Sequence, residues 1–84
     1  MKKLTKKEQI WVDRVEKLLM NPPSKRIGLF TIGDSDLRVY DRSLEEDIDN
    51  LMDKRGIDFC SAVDELDAGF GFINADMSIH STSG

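Results

Sequence analysis

Residues 27–41 read IGLFTIGDSDLRVYD, and whether this stretch forms a hairpin decides the fold of the whole chain. Its first part, with Ile27, Leu29, Phe30 and Ile32, is short and β-branched or aromatic; its last part, Leu37, Arg38, Val39, Tyr40 and Asp41, alternates apolar and polar side chains. Alternation at period two marks a strand with one buried face. Between the two parts lie Gly33 to Asp36, residue types that tolerate the positive φ tight hairpin connections need. The stretch is predicted to be two antiparallel strands.

On its N-terminal side the pattern changes to helical. Thr5 followed by Glu8 has the spacing of a capping box, which places a helix start at Lys6. Trp11, Val15, Leu18 and Leu19 recur at helical spacing as one apolar stripe, and Asn21, Pro22 and Pro23 end it, since proline lacks the backbone N–H and disfavours a helical residue before it.

On the C-terminal side, SLEEDIDNLMDKRG over residues 43–56 repeats the capping-box spacing at Ser43 and Glu46, and Leu44, Ile48, Leu51 and Met52 form a buried stripe that stops at Gly56. A third, shorter helix is expected in DFCSAVDELDAG. Asp58 is its cap, Phe59, Ala62, Val63 and Leu66 its core face, and Gly69 its stop. One further strand is expected in residues 70–74 or 77–80, with Gly71 as a strand glycine or bulge. The resulting order is α-β-β-α-α-β. This is a small single α+β domain over residues 1–84, with a two- or three-stranded antiparallel sheet, helices packed on one face, and flexible ends at 1–4 and 81–84.

Composition agrees with a small folded domain. Of the 84 residues 39% are hydrophobic and 33% charged, a balance that suits a globular chain near the lower size limit for a self-sufficient core. One cysteine, Cys60, rules out an internal disulfide, and one histidine, His80, leaves too few soft ligands for a four-ligand zinc site. A reducing cytoplasm is therefore expected. No apolar run reaches the ~18 residues of a membrane span, and no export signal is read in MKKLTKKEQI.

The net charge of −4 conceals a polarity. Residues 1–26 hold eight Lys/Arg against three Asp/Glu, or +5, and residues 27–84 hold four against thirteen, or −9. Such a distribution orients encounters with charged partners.

Most candidate chemistry fails on spacing. Cys60 and His80 as nucleophile and base have no supporting arrangement, and a free cysteine beside an apolar stripe behaves as a small hydrophobe. GDSD lacks the later glycine and glutamate of a calcium loop, and GFG does not open a helix as a phosphate cradle must. No cofactor, metal site or catalytic residue is expected. Lys2, Lys3, Lys6, Lys7, Lys25 and Arg26 would suit phosphates, yet no interleaved aromatics accompany them and the chain is acidic overall, so nucleic-acid binding through this basic helix is the alternative reading rather than the first.

The acidic helix carries the main signal. Glu45, Glu46 and Asp47 lie in its first turn, where the helix dipole stabilises each by ~0.3 to 1 kcal/mol. Asp47 also precedes Lys54 by two turns, a spacing that allows pairing. Asp49 and Asp53 extend Glu45 along an i, i+4 ladder with no cation between, and each like-charge pair costs a helix roughly 0.2 to 0.5 kcal/mol. An acidic surface made of Glu45, Asp49, Asp53, Asp64 and Asp67 is expected to bind a protein partner that presents a basic patch. A homodimer is a further option for so short a chain, with Trp11, Tyr40 or Phe72 marking its seat if exposed.

In IGLFTIGD, DFCSAVDELDAGFG and the terminal HSTSG, the chain resembles small accessory proteins encoded by enterobacterial phages and prophages. The resemblance spans most of the chain and carries no catalytic or binding residues with it. It implies a setting in which small proteins bind a host protein and block or redirect it, some of them presenting acidic side chains in place of phosphates.

Overall fold

A computed structural model describes residues 2–33 and 35–80. Strands β1 (Ile27–Phe30), β2 (Asp36–Asp41) and β3 (Gly69–Asn74) form one antiparallel sheet in the order β1-β2-β3. The hairpin pairs Ile27 with Asp41 and Phe30 with Arg38, as the alternation of residues 27–41 requires. Asp34, at the hairpin connection, lies outside the described residues. Gly33 there has φ +95°, the left-handed region that favours glycine.

Gly28 stands opposite Tyr40 and is buried. A Cβ at position 28 would fall 2.4 Å from Tyr40 Cε1, so the absence of a side chain is what lets the ring lie against the neighbouring strand. Tyr40 in turn meets Phe59 edge-on at 5.1 Å between ring centroids and Phe30 at 5.8 Å, and Phe30 meets Phe59 at 5.1 Å. Edge-to-face pairs of this kind contribute roughly 0.5 to 1.5 kcal/mol beyond their burial. This triangle joins two strands to a helix.

Helix α1 (Lys6–Met20) precedes the hairpin; α2 (Glu45–Arg55) and α3 (Phe59–Glu65) lie between β2 and β3. Alternation along the strands puts Gly28, Phe30, Arg38, Tyr40 and Phe72 on one sheet face, and α2 and α3 pack there. The core is Tyr40, Ile48, Ala62, Val63 and Ala68, surrounded by Phe30, Leu44, Leu51, Met52, Ile57, Phe59 and Leu66. Ile48 is wholly inaccessible to solvent, which accounts for the apolar stripe read on α2. Between Val39 and Tyr40 the pairing with β3 shifts register, and Gly71 beside that bulge has φ +127°.

Helix ends follow their local chemistry, with two corrections. The Thr5–Glu8 capping box is present: Glu8 N–H donates to Thr5 Oγ1 (3.2 Å) and Thr5 N–H to Glu8 Oε1 (2.8 Å). Asp58 caps α3 by accepting from Ser61 N–H at 2.8 Å, and Gly56 closes α2 in the left-handed conformation. Ser43, however, does not cap α2. It sits in a 3-10 turn, Arg42–Leu44, whose own cap is Asp41, and the α2 cap residue Leu44 has no side-chain bond to give. An aspartate two residues ahead captured Ser43 N–H (3.0 Å) and Oγ (2.6 Å), leaving the hydroxyl committed. Nor is Gly69 the stop of α3. Asp67 adopts φ +51°, its N–H donates to Asp64 O and Ala68 N–H donates to Val63 O, so the helix closes as a Schellman motif and Gly69 is free to begin β3. The last strand is residues 69–74, not 77–80; the expected loose end at 81–84 lies outside the described residues.

Helix α1 differs from the other two in having no buried residue. Trp11 is 51% exposed and Leu18 74%, and only the last turn approaches the body, where Leu18 and Leu19 share a groove with Pro22, Pro23, Ile27, Leu29 and Ile73.

Gly28→Ala should destabilise the protein by about 1 to 3 kcal/mol, the usual cost of overfilling a packed site, because a ring in the core cannot retreat as a surface side chain can. Urea unfolding checks this, with a downward shift in midpoint as the expected result.

Candidate interaction surface

The residues expected to bind a partner fall into two groups. Packing of Leu44, Ile48, Leu51 and Met52 against the core turns Glu45, Asp49 and Asp53 outward on α2, and all three are exposed. Asp64 and Asp67 line a cavity of about 250 Å³ beside the β3 bulge, with Arg38, Cys60, Val63 and Phe72 among its walls. The ladder residues of α2 do not reach that cavity.

Glu45 is only partly available, because its Oε1 accepts the Tyr40 hydroxyl at 2.8 Å. Burial pushes the Tyr40 phenol above its ordinary value, and the bond to Glu45 and that carboxylate's charge raise it further; Asp49 adds a smaller push and Arg42 opposes. Asp67 serves the turn that closes α3 through its backbone, and its carboxylate is not part of that turn. Asp49 and Asp53 have no such employment. The ion pairs among the described residues are Arg26–Asp41 at 3.8 Å, Arg38–Asp36 at 3.5 Å and Arg55–Glu65, which ties α2 to α3. The expected Asp47–Lys54 pairing is not among them, and none joins α1 to the acidic helices.

Two other aspartates have their charge spent on structure. Hydrogen bonds from Ser43, first its hydroxyl and then its N–H, hold Asp41 below the usual carboxylate range, with Arg26 helping; bonds from Ser61 do the same for Asp58. Both contributions are present above the ordinary value of 3.8 and are lost as pH falls through the lower folded values.

Cys60 is half-buried in the cavity wall, and His80, which is exposed, does not line that cavity. Among the described residues no group of three or more His, Cys, Asp or Glu converges as a metal site, and no helix is long and apolar enough to cross a membrane. The lysines at 2, 3, 6 and 7 are exposed, whereas Arg26 is drawn to the body, stacking 4.9 Å above the Phe70 ring.

Of the three residues considered as dimer markers, Trp11 and Phe72 are exposed and Tyr40 is buried. Sequence periodicity identified the α1 stripe but not that it lies uncovered. The connector NPPSKR ends the helix before β1 through its two prolines and carries no signal of whether the stripe is covered. No family model, curated protein or solved structure matches the chain.

The single tyrosine makes the Glu45 tie directly measurable. Absorbance titration should place Tyr40 above 10.0 in the folded protein, and Glu45→Gln, which keeps an acceptor but removes the charge, should move it back toward that value. Because the folded state holds the phenolic proton more tightly, this contribution to stability is full below 10.0 and is lost as pH rises through the folded value.

Proposed function

We propose that the chain is a non-enzymatic protein-binding module of an enterobacterial phage or prophage, working in the host cytoplasm, where it binds a host protein and inhibits or modulates it. The phage setting rests on the resemblance in sequence. The partner presents a basic surface, as the proteins of a defence or nucleic-acid-processing complex do, and the acidic face of α2 occupies it, with Asp64 and Asp67 on a separate surface beside the β3 bulge.

The observation that carries this reading is the state of Asp49 and Asp53. Both are exposed, neither takes part in an ion pair among the described residues, and both stand on a ladder with Glu45 that weakens the helix. A surface under selection for stability alone would hold a lysine at one of these positions. Long-range attraction from such a patch accelerates encounter and is screened by salt, so binding should weaken as ionic strength rises.

Asp49→Lys separates stability from binding. It replaces two repulsive i, i+4 pairs with two attractive ones and should raise stability by about 0.8 to 2 kcal/mol, while affinity capture from an enterobacterial lysate should lose the partner that the wild type retains. Retention of the same partner by the Asp49→Lys/Asp53→Lys double variant would contradict the acidic-surface mechanism. Salt-dependent binding to DNA or RNA, abolished by Lys6→Glu/Lys7→Glu, would instead favour the basic helix as the working surface.

A further inference from the structure

Two apolar surfaces of this chain carry no packed helix: the stripe of α1, largely exposed, and the outer sheet face, where Ile73 is exposed and Ile27, Leu29, Leu37 and Val39 are half-buried. On α1, Trp11, Val12, Val15, Leu18 and Leu19 share a sector about 120° wide. That is the width of a helix seated on a sheet or in a multi-helix core, broader than the narrow seam of a two-stranded coiled coil. On the sheet, Ile27, Leu29, Leu37, Val39 and Ile73 alternate with the core-facing residues and line the face opposite α2 and α3.

We propose that two copies of the chain exchange α1, each laying the apolar stripe of its first helix across the outer sheet face of the other. This goes beyond the acidic-surface reading and does not depend on it.

Three observations select a second copy as the occupant. The chain exposes 7109 Å², whereas a compact folded monomer of 9.5 kDa exposes about 5,000 Å². The excess, about 2,000 Å² per copy, is of the size an obligate homodimer buries. Its radius of gyration is 15.2 Å, against about 12 Å for a compact chain of this length, and the long dimension is 47 Å. Net charge favours the encounter at long range: residues 1–26 carry +5 and residues 27–84 carry −9, although the acidic side chains of α2 and α3 lie on the side of the sheet away from the docking face.

The connector suits an exchange. Residues 21–26 hold Pro22 and Pro23, which favour an extended path over a tight reversal, and the groove between the end of α1 and the sheet is already apolar, with Leu18 and Leu19 facing Ile27, Leu29 and Ile73 across about 440 Å³. Because the same two surfaces meet twice about a two-fold axis, the assembly closes at two copies rather than growing into a filament.

Disulfide trapping in a Cys60→Ser background tests the exchange. Val15→Cys and Leu29→Cys are made on separate chains, mixed, allowed to exchange, and oxidised gently. The proposal expects a cross-linked heterodimer from the mixture and little from either variant alone, together with a sedimenting mass of twice 9.5 kDa for the uncrosslinked wild type. Cross-linking of the Val15→Cys variant to itself, with none between the two variants, would mean that α1 pairs with α1 and would overturn the exchange. A monomer at all concentrations from micromolar to millimolar would overturn it as well. Val15→Glu should convert the dimer to monomer while leaving the sheet signal in circular dichroism, which separates lost assembly from lost folding.

Discussion

The Tyr40 ring occupies the space that a side chain at position 28 would take, and from there its hydroxyl reaches Glu45. Few other contacts in the molecule connect as many parts. The ring lies across the hairpin pair Gly28–Tyr40, packs edge-on against Phe59 of α3, and bonds to the first residue of α2. In a domain of 84 residues with five buried hydrophobic residues among those described, such a junction sets the relative placement of sheet and helices. The rest follows: with α2 fixed at its first turn, Ile48 enters the core and Asp49 and Asp53 must turn outward.

That constraint sorts the acidic residues into those with structural work and those without. Asp41 and Asp58 bind the N–H groups of short helical segments, Glu65 joins Arg55, Asp67 turns the chain at the end of α3, and Glu45 holds Tyr40. Asp49 and Asp53 remain on the outer face of α2 at a cost to the helix. The same division appears at larger scale. The body from Ile27 onward has its own core, while α1 has helical hydrogen bonds, a capping box and an apolar stripe but nothing buried. An isolated helix of 15 residues is marginal in water, so a stable α1 implies packing supplied from elsewhere.

Much of this was legible in the sequence because it is governed by neighbours. The Thr5–Glu8 cap, the alternation in LRVYD, the glycine at 56 and the Asp58 cap each depend on residues within four positions. Where local signals competed, reading failed. Ser43 has the same spacing to Glu46 as a capping serine, but Asp41 lies closer to its N–H and hydroxyl; Asp67 could replace glycine at the end of α3 because aspartate tolerates the left-handed conformation. Non-local facts were beyond periodicity altogether. The stripe at Trp11, Val15, Leu18 and Leu19 looks the same whether or not the chain covers it, and the use of Glu45 by a tyrosine five residues earlier requires the folded turn between them. Likewise, five carboxylates close in sequence fall on two separate surfaces, since α3 turns Asp64 toward the β3 bulge.

The claim that joins these points is that α1 is completed by packing from outside its own chain. Hydrogen exchange followed residue by residue over a range of protein concentration tests it most directly. The amides of α1 should be weakly protected in dilute solution and gain protection as concentration rises, while those of β2 and α2 change little. Protection of α1 equal to that of β2 in dilute, monomeric protein would show that the helix is covered by its own chain and would contradict the account.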